Sequence, residues 1–293
     1  MRTDRAARAV LKALIAALLT GFALFFVLPM VWLVLAATKT PAGLIQDAPL
    51  SPGSLAALLD NWRNLMSFQD GAVATWMGNS VLYAALSVIL TLLVSVPAGY
   101  ALALMSFKGR RLLLVVTLVV MLMPATALVL PIFLEFSYMG LVNTTASVVL
   151  PMSFFPFGVY LTYIYFSTSV PAELLDSARL DGCGEAATFA RVALPLAKPV
   201  VALVGFFSFV QNWNNFFLPY VMLPSSGNYP MQVGLTQMLA ATPTFNPVVG
   251  ANAEVQPPEL VLATLLSITP VLLVFLFSQR FLVAGLTAGA TKG

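Results

Sequence analysis

Residues 171–195 read PAELLDSARLDGCGEAATFARVALP, a charged island in a chain otherwise nearly free of charge. Glu173, Asp176, Asp181 and Glu185 fall here with Arg179 and Arg191, although only 9% of all residues are charged. Charges are costly beside hydrocarbon, so the segment faces water and something there reads it. Glu173 to Ala178 suits a helix, with Leu174 and Ala178 one turn apart. Asp181-Gly182 signals a turn, because glycine reaches backbone angles that other residues avoid. A second helical stretch places Ala186, Phe189, Ala190 and Ala193 on one face, and Pro195 and Pro199 stop it. Helix, glycine hinge, helix describes a compact knob held beside a membrane.

The flanking sequence supplies the membrane. The chain has 293 residues, 60% of them hydrophobic, and a mean hydropathy of +0.94, too apolar for a soluble globule. Six runs without Asp, Glu, Lys or Arg cover 13–38, 71–107, 112–134, 136–172, 199–253 and 260–279. A spanning helix needs about 20 mostly apolar residues, so each run can hold one. None alternates apolar with polar as barrel strands do. The expectation is an all-α membrane protein with six transmembrane helices. Run 13–38 exceeds the roughly 7–15 residue core of a cleavable signal and is read as the first span. The organisation is then an arm (1–12), a membrane domain (13–284) containing the loop 170–198, and a tail (285–293).

Basic residues orient it. Of fourteen Lys and Arg, only Lys39 and Arg63 fall outside if both termini are cytoplasmic, which satisfies the positive-inside bias. The net charge of +3 reflects this topology and is no ground for a nucleic-acid partner. With no histidine and the one cysteine, Cys183, the usual zinc and haem ligand sets are absent. No catalytic residues and no metal site are expected.

Two longer segments lie outside. In 39–70, loop chemistry precedes a short amphipathic helix, with Ser54 as cap and Leu55, Leu58, Leu59, Trp62 and Leu65 as its face; it reads as a cover for neighbouring helix ends. Residues 224–258 read as a long loop. Pro29, Pro97, Pro124, Pro131, Pro151, Pro156, Pro219 and Pro270 punctuate the spans, either as ordinary kinks or as bends of a two-state bundle. Glu135, counted at helical rise from Arg111, falls near the outer interface.

Gln211, Asn212, Trp213, Asn214 and Asn215 form the strongest polar cluster within a span. Buried amides must pair, and two readings stand: interhelical glue, or a water-filled pathway lined by Gln211, Trp213 and Asn214, where a ring covers a sugar face and amides bond its hydroxyls.

The spacing of the central segment resembles the cytoplasmic coupling loop of ABC importer permeases: E-A-A, three residues, G, nine residues, I-x-L-P. Here these are Asp176-Ser177-Ala178, Gly182 and Val192-Ala193-Leu194-Pro195, with small departures at Asp176, Ser177, Cys183 and Val192. Trp213-Asn214-Asn215-Phe216 resembles the W-N-x-F signature of helix five in the maltose-type carbohydrate branch. Gln279-Arg280 through Gly285-Leu286-Thr287-Ala288-Gly289 resembles its ending, with Thr291 in place of Val.

The resemblance implies a type I importer permease fold in a bacterial inner membrane, one subunit of an ATP-driven sugar importer. The implied partners are a second homologous permease, two copies of an ATP-binding subunit and an extracytoplasmic sugar-binding protein, with lipid around them. It implies Glu173, Asp176, Ser177, Ala178, Asp181, Gly182 and Pro195 as coupling residues. Gln279, Arg280, Gly285, Leu286, Thr287 and Gly289 form the tail it places near the ATPase. The chain lacks a G-x-x-x-x-G-K-[ST] loop, so ATP and magnesium belong to the partner and this chain binds no cofactor. A permease for glycerol phosphate or a related polyol derivative is an alternative. An ATP-independent carrier would carry an inverted repeat, which is not found, and would leave the central loop unexplained.

Overall fold

The structure, a computed structural model, describes residues 2–246, 248 and 255–287. Among these every regular element is helical. In chain order they are α1 (Arg2–Ala36), α2 (Pro41–Gln46), α3 (Leu55–Ser67), α4 (Ala72–Leu104), α5 (Arg110–Met121), α6 (Ala125–Tyr138), α7 (Thr145–Ser153) and α8 (Pro156–Ser169). Then come α9 (Ala172–Leu180), α10 (Glu185–Thr188), a π-turn at Phe189–Ala193, α11 (Leu194–Leu196), α12 (Lys198–Trp213), α13 (Phe217–Met222), α14 (Met231–Ala240) and α15 (Pro257–Thr287).

Four stretches are long and apolar enough to cross a membrane: Val10–Ala36, Ala72–Leu104, Thr145–Ser169 and Pro257–Gln279. The count reaches six if two bent pairs each form one span. α5 and α6 meet at 105°. The run 112–134 is therefore broken, at Leu122–Pro124, where Pro124 has no N–H for a continuing helix. The helical rise from Arg111 does not carry to Glu135, which is exposed. Prolines thus divide into two kinds. Pro29, Pro97, Pro131, Pro151 and Pro270 ride inside helices, whereas Pro124 and Pro156 stand where one helix ends and another begins.

The chain forms two compact units. One comprises the chain up to Val73 with Leu235–Leu266. None of the apolar window of α1 is buried. Beyond α1 the loop is closed on itself: Ser54 N–H donates to the Thr38 carbonyl at 2.8 Å, an approach only a glycine at position 53 permits, since a Cβ there would overlap that carbonyl. Lys39, one of the two cations left outside by the charge rule, is buried and donates through Nζ to the Ala48 carbonyl at 2.7 Å.

α3 starts at Ser54, whose Oγ accepts from Ala57 N–H at 3.0 Å. Its buried face is Ala57, Asn61 and Leu65, and Leu55, Leu59 and Trp62 are exposed. This corrects the face read from the leucines. Apolar periodicity is blind to Asn61, whose amide donates to the Ala37 and Lys39 carbonyls and so turns its own side of the helix inward.

The other unit comprises Ala74–Gly234 with the chain from Ser267 onward. α8 packs against α5 and α12. Its Thr162 hydroxyl donates to the Ser95 carbonyl of α4 at 2.9 Å, across a crossing where a Cβ at Gly99 would overlap Thr162. Small residues admit such close helix approach in membranes. At one end, Asn143, at φ 66°, ties the α6–α7 turn to Ser225 and Asn228.

Residues 224–258 are not all loop. Pro230 opens α14, in which Met231, Val233 and Met238 are fully buried. The Pro, Ser, Gly and Asn before it masked a short apolar helix. Gly234 in it abuts the indole of Trp76, where a Cβ would overlap the ring.

Candidate functional site: a charged knob and the helix that follows it

The charged island folds into helix, glycine turn and helix. α9 ends in a Schellman motif: Cys183 N–H donates to the Ala178 carbonyl and Gly182 N–H to the Arg179 carbonyl, both at 3.0 Å. Gly182 is the left-handed residue that this geometry needs, at φ +84°, and its missing Cβ would meet open space. Backbone conformation, not crowding, is what requires glycine there.

Arg179 holds the two helices together. Its Nη1 pairs with Asp176 and its Nε with Glu185, each at 2.9 Å. Hydrogen bonding to Arg179 keeps the Glu185 carboxyl below the usual glutamate range, and the same bond raises the guanidinium. Glu185 also accepts from the Tyr100 hydroxyl at 3.2 Å. Tyr100 lies buried near the end of α4, with its ring 5.0 Å from Phe189 and 5.5 Å from Phe166. Leu175, 1% exposed, sits in the same apolar cluster with Ala193, Ala197 and Val200. The knob is thus plugged into the membrane helices by Leu175 and Phe189 and clasped by Tyr100.

What the knob shows to water differs from the sequence reading. Leu174 and Leu180 are 47% and 88% exposed, while Leu175 and Ala178 face inward. Glu173, Asp176, Ser177, Asp181 and Gly182 are exposed. Ala186 and Ala190 are exposed, whereas Ala193 is buried and Phe189 half-buried. The face expected from a 3.6-residue period is split because the π-turn at Phe189–Ala193 changes the period midway. Pro195 follows that turn inside α11, so it does not end the helix; a turn already widened accommodates a residue with no N–H to give. The chain changes direction at Ala197, where the 185–196 and 198–213 segments meet at 79°. Thr188, fully buried at the start of the π-turn, leaves its hydroxyl without a partner among the described residues.

The polar cluster at the end of α12 does not converge. At about 100° per residue, consecutive side chains of α12 point to different neighbours. Trp213 is buried and donates its ring N–H to the Ser267 carbonyl of α15 at 2.9 Å. Its ring stacks on Phe209 and forms part of the wall of an apolar groove with Val81, Phe206 and Phe277. Asn212, also buried, donates to Ser208. Ser208 bonds Thr91 of α4, which donates to the Ser153 carbonyl of α7, so one polar chain links three helices.

Asn214 is exposed and spends an N–H on the Val210 carbonyl of its own helix. Asn215 accepts from Leu218 N–H at the start of α13. Gln211 is exposed and faces a cavity of about 340 Å³ lined by Met121, Met123, Phe154, Phe155 and Phe157. That cavity lies at the α5–α6 break and the α7–α8 break. Sequence reasoning missed Tyr100, Leu175 and these phenylalanines, whose partners lie far away in sequence.

In the tail, Gln279 is exposed, its amide on the Leu276 carbonyl. Arg280, Gly285, Leu286 and Thr287 continue α15. Gly289 lies outside the described residues.

Three comparisons bear on this arrangement. The family model described as "Binding-protein-dependent transport system inner membrane component" matches residues 95–288. The chain is 34% identical over 270 residues to the arabinooligosaccharides transport system permease protein AraQ of Halalkalibacterium halodurans, covering 91% of each. It is 29% identical over 281 residues to the diacetylchitobiose uptake system permease protein NgcG of Streptomyces coelicolor, covering 94% of this chain and 87% of that one. Among solved structures, a bacterial ABC transporter involved in the import of the acidic polysaccharide alginate superposes with a TM-score of 0.81. That match is at 25% identity and covers 96% of this chain and 98% of its counterpart.

Proposed function

The chain belongs to the family of binding-protein-dependent transport system inner membrane components, and from that premise we propose that it is a permease subunit of a sugar or oligosaccharide ABC importer. Relatives named for arabinooligosaccharides, diacetylchitobiose, lactose and trehalose support the substrate class. In this reading α5 and α6 together make one crossing and α12 makes another, giving six crossings with both termini cytoplasmic. The charged 170–198 loop projects into the cytoplasm. Two ATP-binding subunits with ATP and magnesium, a second permease and an extracytoplasmic binding protein complete the transporter in a bacterial inner membrane. The wholly unburied apolar window of α1 is then covered by lipid and by the second permease.

The observation that carries the reading is the knob: a charged, water-facing surface whose other side plugs into the bundle through Leu175, Phe189 and Tyr100. A pull on the exposed side by a closing ATPase reaches α4 and α8 through packed side chains instead of through a flexible linker. The buried Thr188 hydroxyl, without a partner among the described residues, and the π-turn lie along the path of such a pull. On the substrate side, Gln211 with Phe154 and Phe157 supplies an amide and aromatic faces where helices break, a combination suited to sugar hydroxyls and ring faces. Trp213 and Asn212 act as glue. The uncharged lining of that cavity favours a neutral sugar over a glycerol phosphate.

Gly182 tests the coupling. A β-branched residue is strained at positive φ by roughly 1–3 kcal/mol, while asparagine tolerates it. Gly182→Val should cut substrate-stimulated ATPase and uptake at least about tenfold, the equivalent of about 1.4 kcal/mol, in a subunit that still assembles. Gly182→Asn should retain most of both. Equal behaviour of the two variants would remove the turn from the mechanism.

A further inference from the structure

α3 has three faces. Ala57, Asn61 and Leu65 face the protein. Next around the cylinder come Leu55, Leu59 and Trp62, exposed by 71%, 47% and 42%. Beyond them Asp60 and Arg63 pair with each other in solvent at 3.4 Å. A helix lying on a protein and otherwise bathed in water keeps its apolar residues on the one buried stripe, so the second apolar face needs its own cover.

Two hydrogen-bonded bolts fix where this helix lies. Asn61 donates to the carbonyls of Ala37 and Lys39 at 3.0 and 2.9 Å, immediately past the candidate span Val10–Ala36. Asn64 donates to Glu259 Oε1 at 2.9 Å, and Oε2 of the same carboxylate accepts from Gln256 N–H at 2.8 Å. Glu259 therefore caps the start of the candidate span Pro257–Gln279. One helix is bolted to the ends of two spans, which sets it at the height of the membrane surface.

We propose that α3 is an interfacial helix whose Leu55–Leu59–Trp62 face is seated in the lipid boundary between headgroups and acyl chains. At that depth Trp is favoured because its ring is apolar and its N–H reaches water or headgroup oxygens, and helices of this kind sink one face about 5–10 Å into the boundary. Recognition is of the apolar boundary and not of a charged headgroup, since Asp60 and Arg63 satisfy each other. The helix, about 20 Å long for its 13 residues, would brace the loop 37–54 against tilting of α1. The proposal rests on the membrane passage of α1 and α15 alone, so it stands or falls apart from the sugar and coupling assignments.

The test is tryptophan fluorescence of the intact transporter in vesicles of phosphatidylethanolamine and phosphatidylglycerol, comparing the wild type with Trp62→Phe. The emission lost in the variant belongs to Trp62. Lipids brominated near the head of the acyl chain should quench most of that component, lipids brominated near the chain end should quench much less, and aqueous iodide should leave it nearly intact. In the Trp62→Phe background, Asp60→Trp should reverse the pattern, quenched by iodide and not by bromine. A Trp62 component quenched by iodide alone would place the face in water, and one quenched by neither would place it against protein; either result overturns the proposal. Raising the phosphatidylglycerol content should not change the quenching, and a strong dependence would overturn the apolar mode of recognition.

Discussion

Both the knob and the polar cluster at the end of α12 are short polar segments set in apolar sequence, yet only the first acts as a unit. In the knob, Arg179, Asp176 and Glu185 meet because a Schellman turn folds nine residues of α9 back onto the next helix. In the cluster, the five residues stay on one helix and the turn that ends it, so helical geometry sends them apart. Contiguity in sequence makes a site when the chain turns within it. Along a straight helix it only distributes polar groups among neighbours chosen by the rest of the fold.

The sharpest way to break this contrast is at the seat of the knob. Leu175 is 1% exposed among apolar neighbours, and Leu180, in the same helix, is 88% exposed. Leu175→Ala should destabilise the subunit by about 2–5 kcal/mol, seen as a lower melting temperature and lower yield of the complex. Leu180→Ala should leave melting within about 0.5 kcal/mol of the wild type and reduce substrate-stimulated ATPase. If both changed only melting, the exposed side of the knob would not be a docking surface.

Next in size is Trp213. Trp213→Phe keeps the stack on Phe209 but loses the hydrogen bond to the buried Ser267 carbonyl, a loss of about 0.5–1.5 kcal/mol. Thermal stability should fall while uptake per assembled transporter is unchanged. A normal melting temperature with slowed uptake would restore Trp213 to the substrate pathway.

The difference between the regions also explains what was legible in the sequence. Apolar run length located each candidate span, because hydrocarbon thickness acts on length and composition alone. The glycine turn was legible because a left-handed residue leaves a local signature. The buried side of the knob was not, since Leu174 and Leu175 are equivalent in composition and only the distant Tyr100, Phe166 and Val200 decide between them. The π-turn hid the true face of α10, and Asn61 hid that of α3. The breaks at Pro124 and Pro156 were visible as prolines, but Pro97 and Pro270 look alike in sequence and sit inside unbroken helices. A proline marks a lost hydrogen bond, and the packing around it decides whether the helix bends.

The smallest effects separate the two exposed amides at the end of α12, Gln211 and the C-cap Asn214. Gln211 faces the aromatic cavity at the helix breaks, whereas Asn214 uses its N–H on its own helix at Val210. A hydrogen bond to a sugar hydroxyl contributes about 0.5–1.5 kcal/mol, so Gln211→Ala should slow uptake several-fold at limiting substrate with melting and basal ATPase unchanged. Asn214→Ala removes only a local back-bond in an exposed position and should lie within about 0.5 kcal/mol of the wild type by either measure. Uptake assays and melting curves on the same reconstituted preparations decide the matter. Should Asn214→Ala impair uptake and Gln211→Ala leave it intact, the pathway would run along the other side of α12, and the aromatic cavity would be only packing space beside a kink.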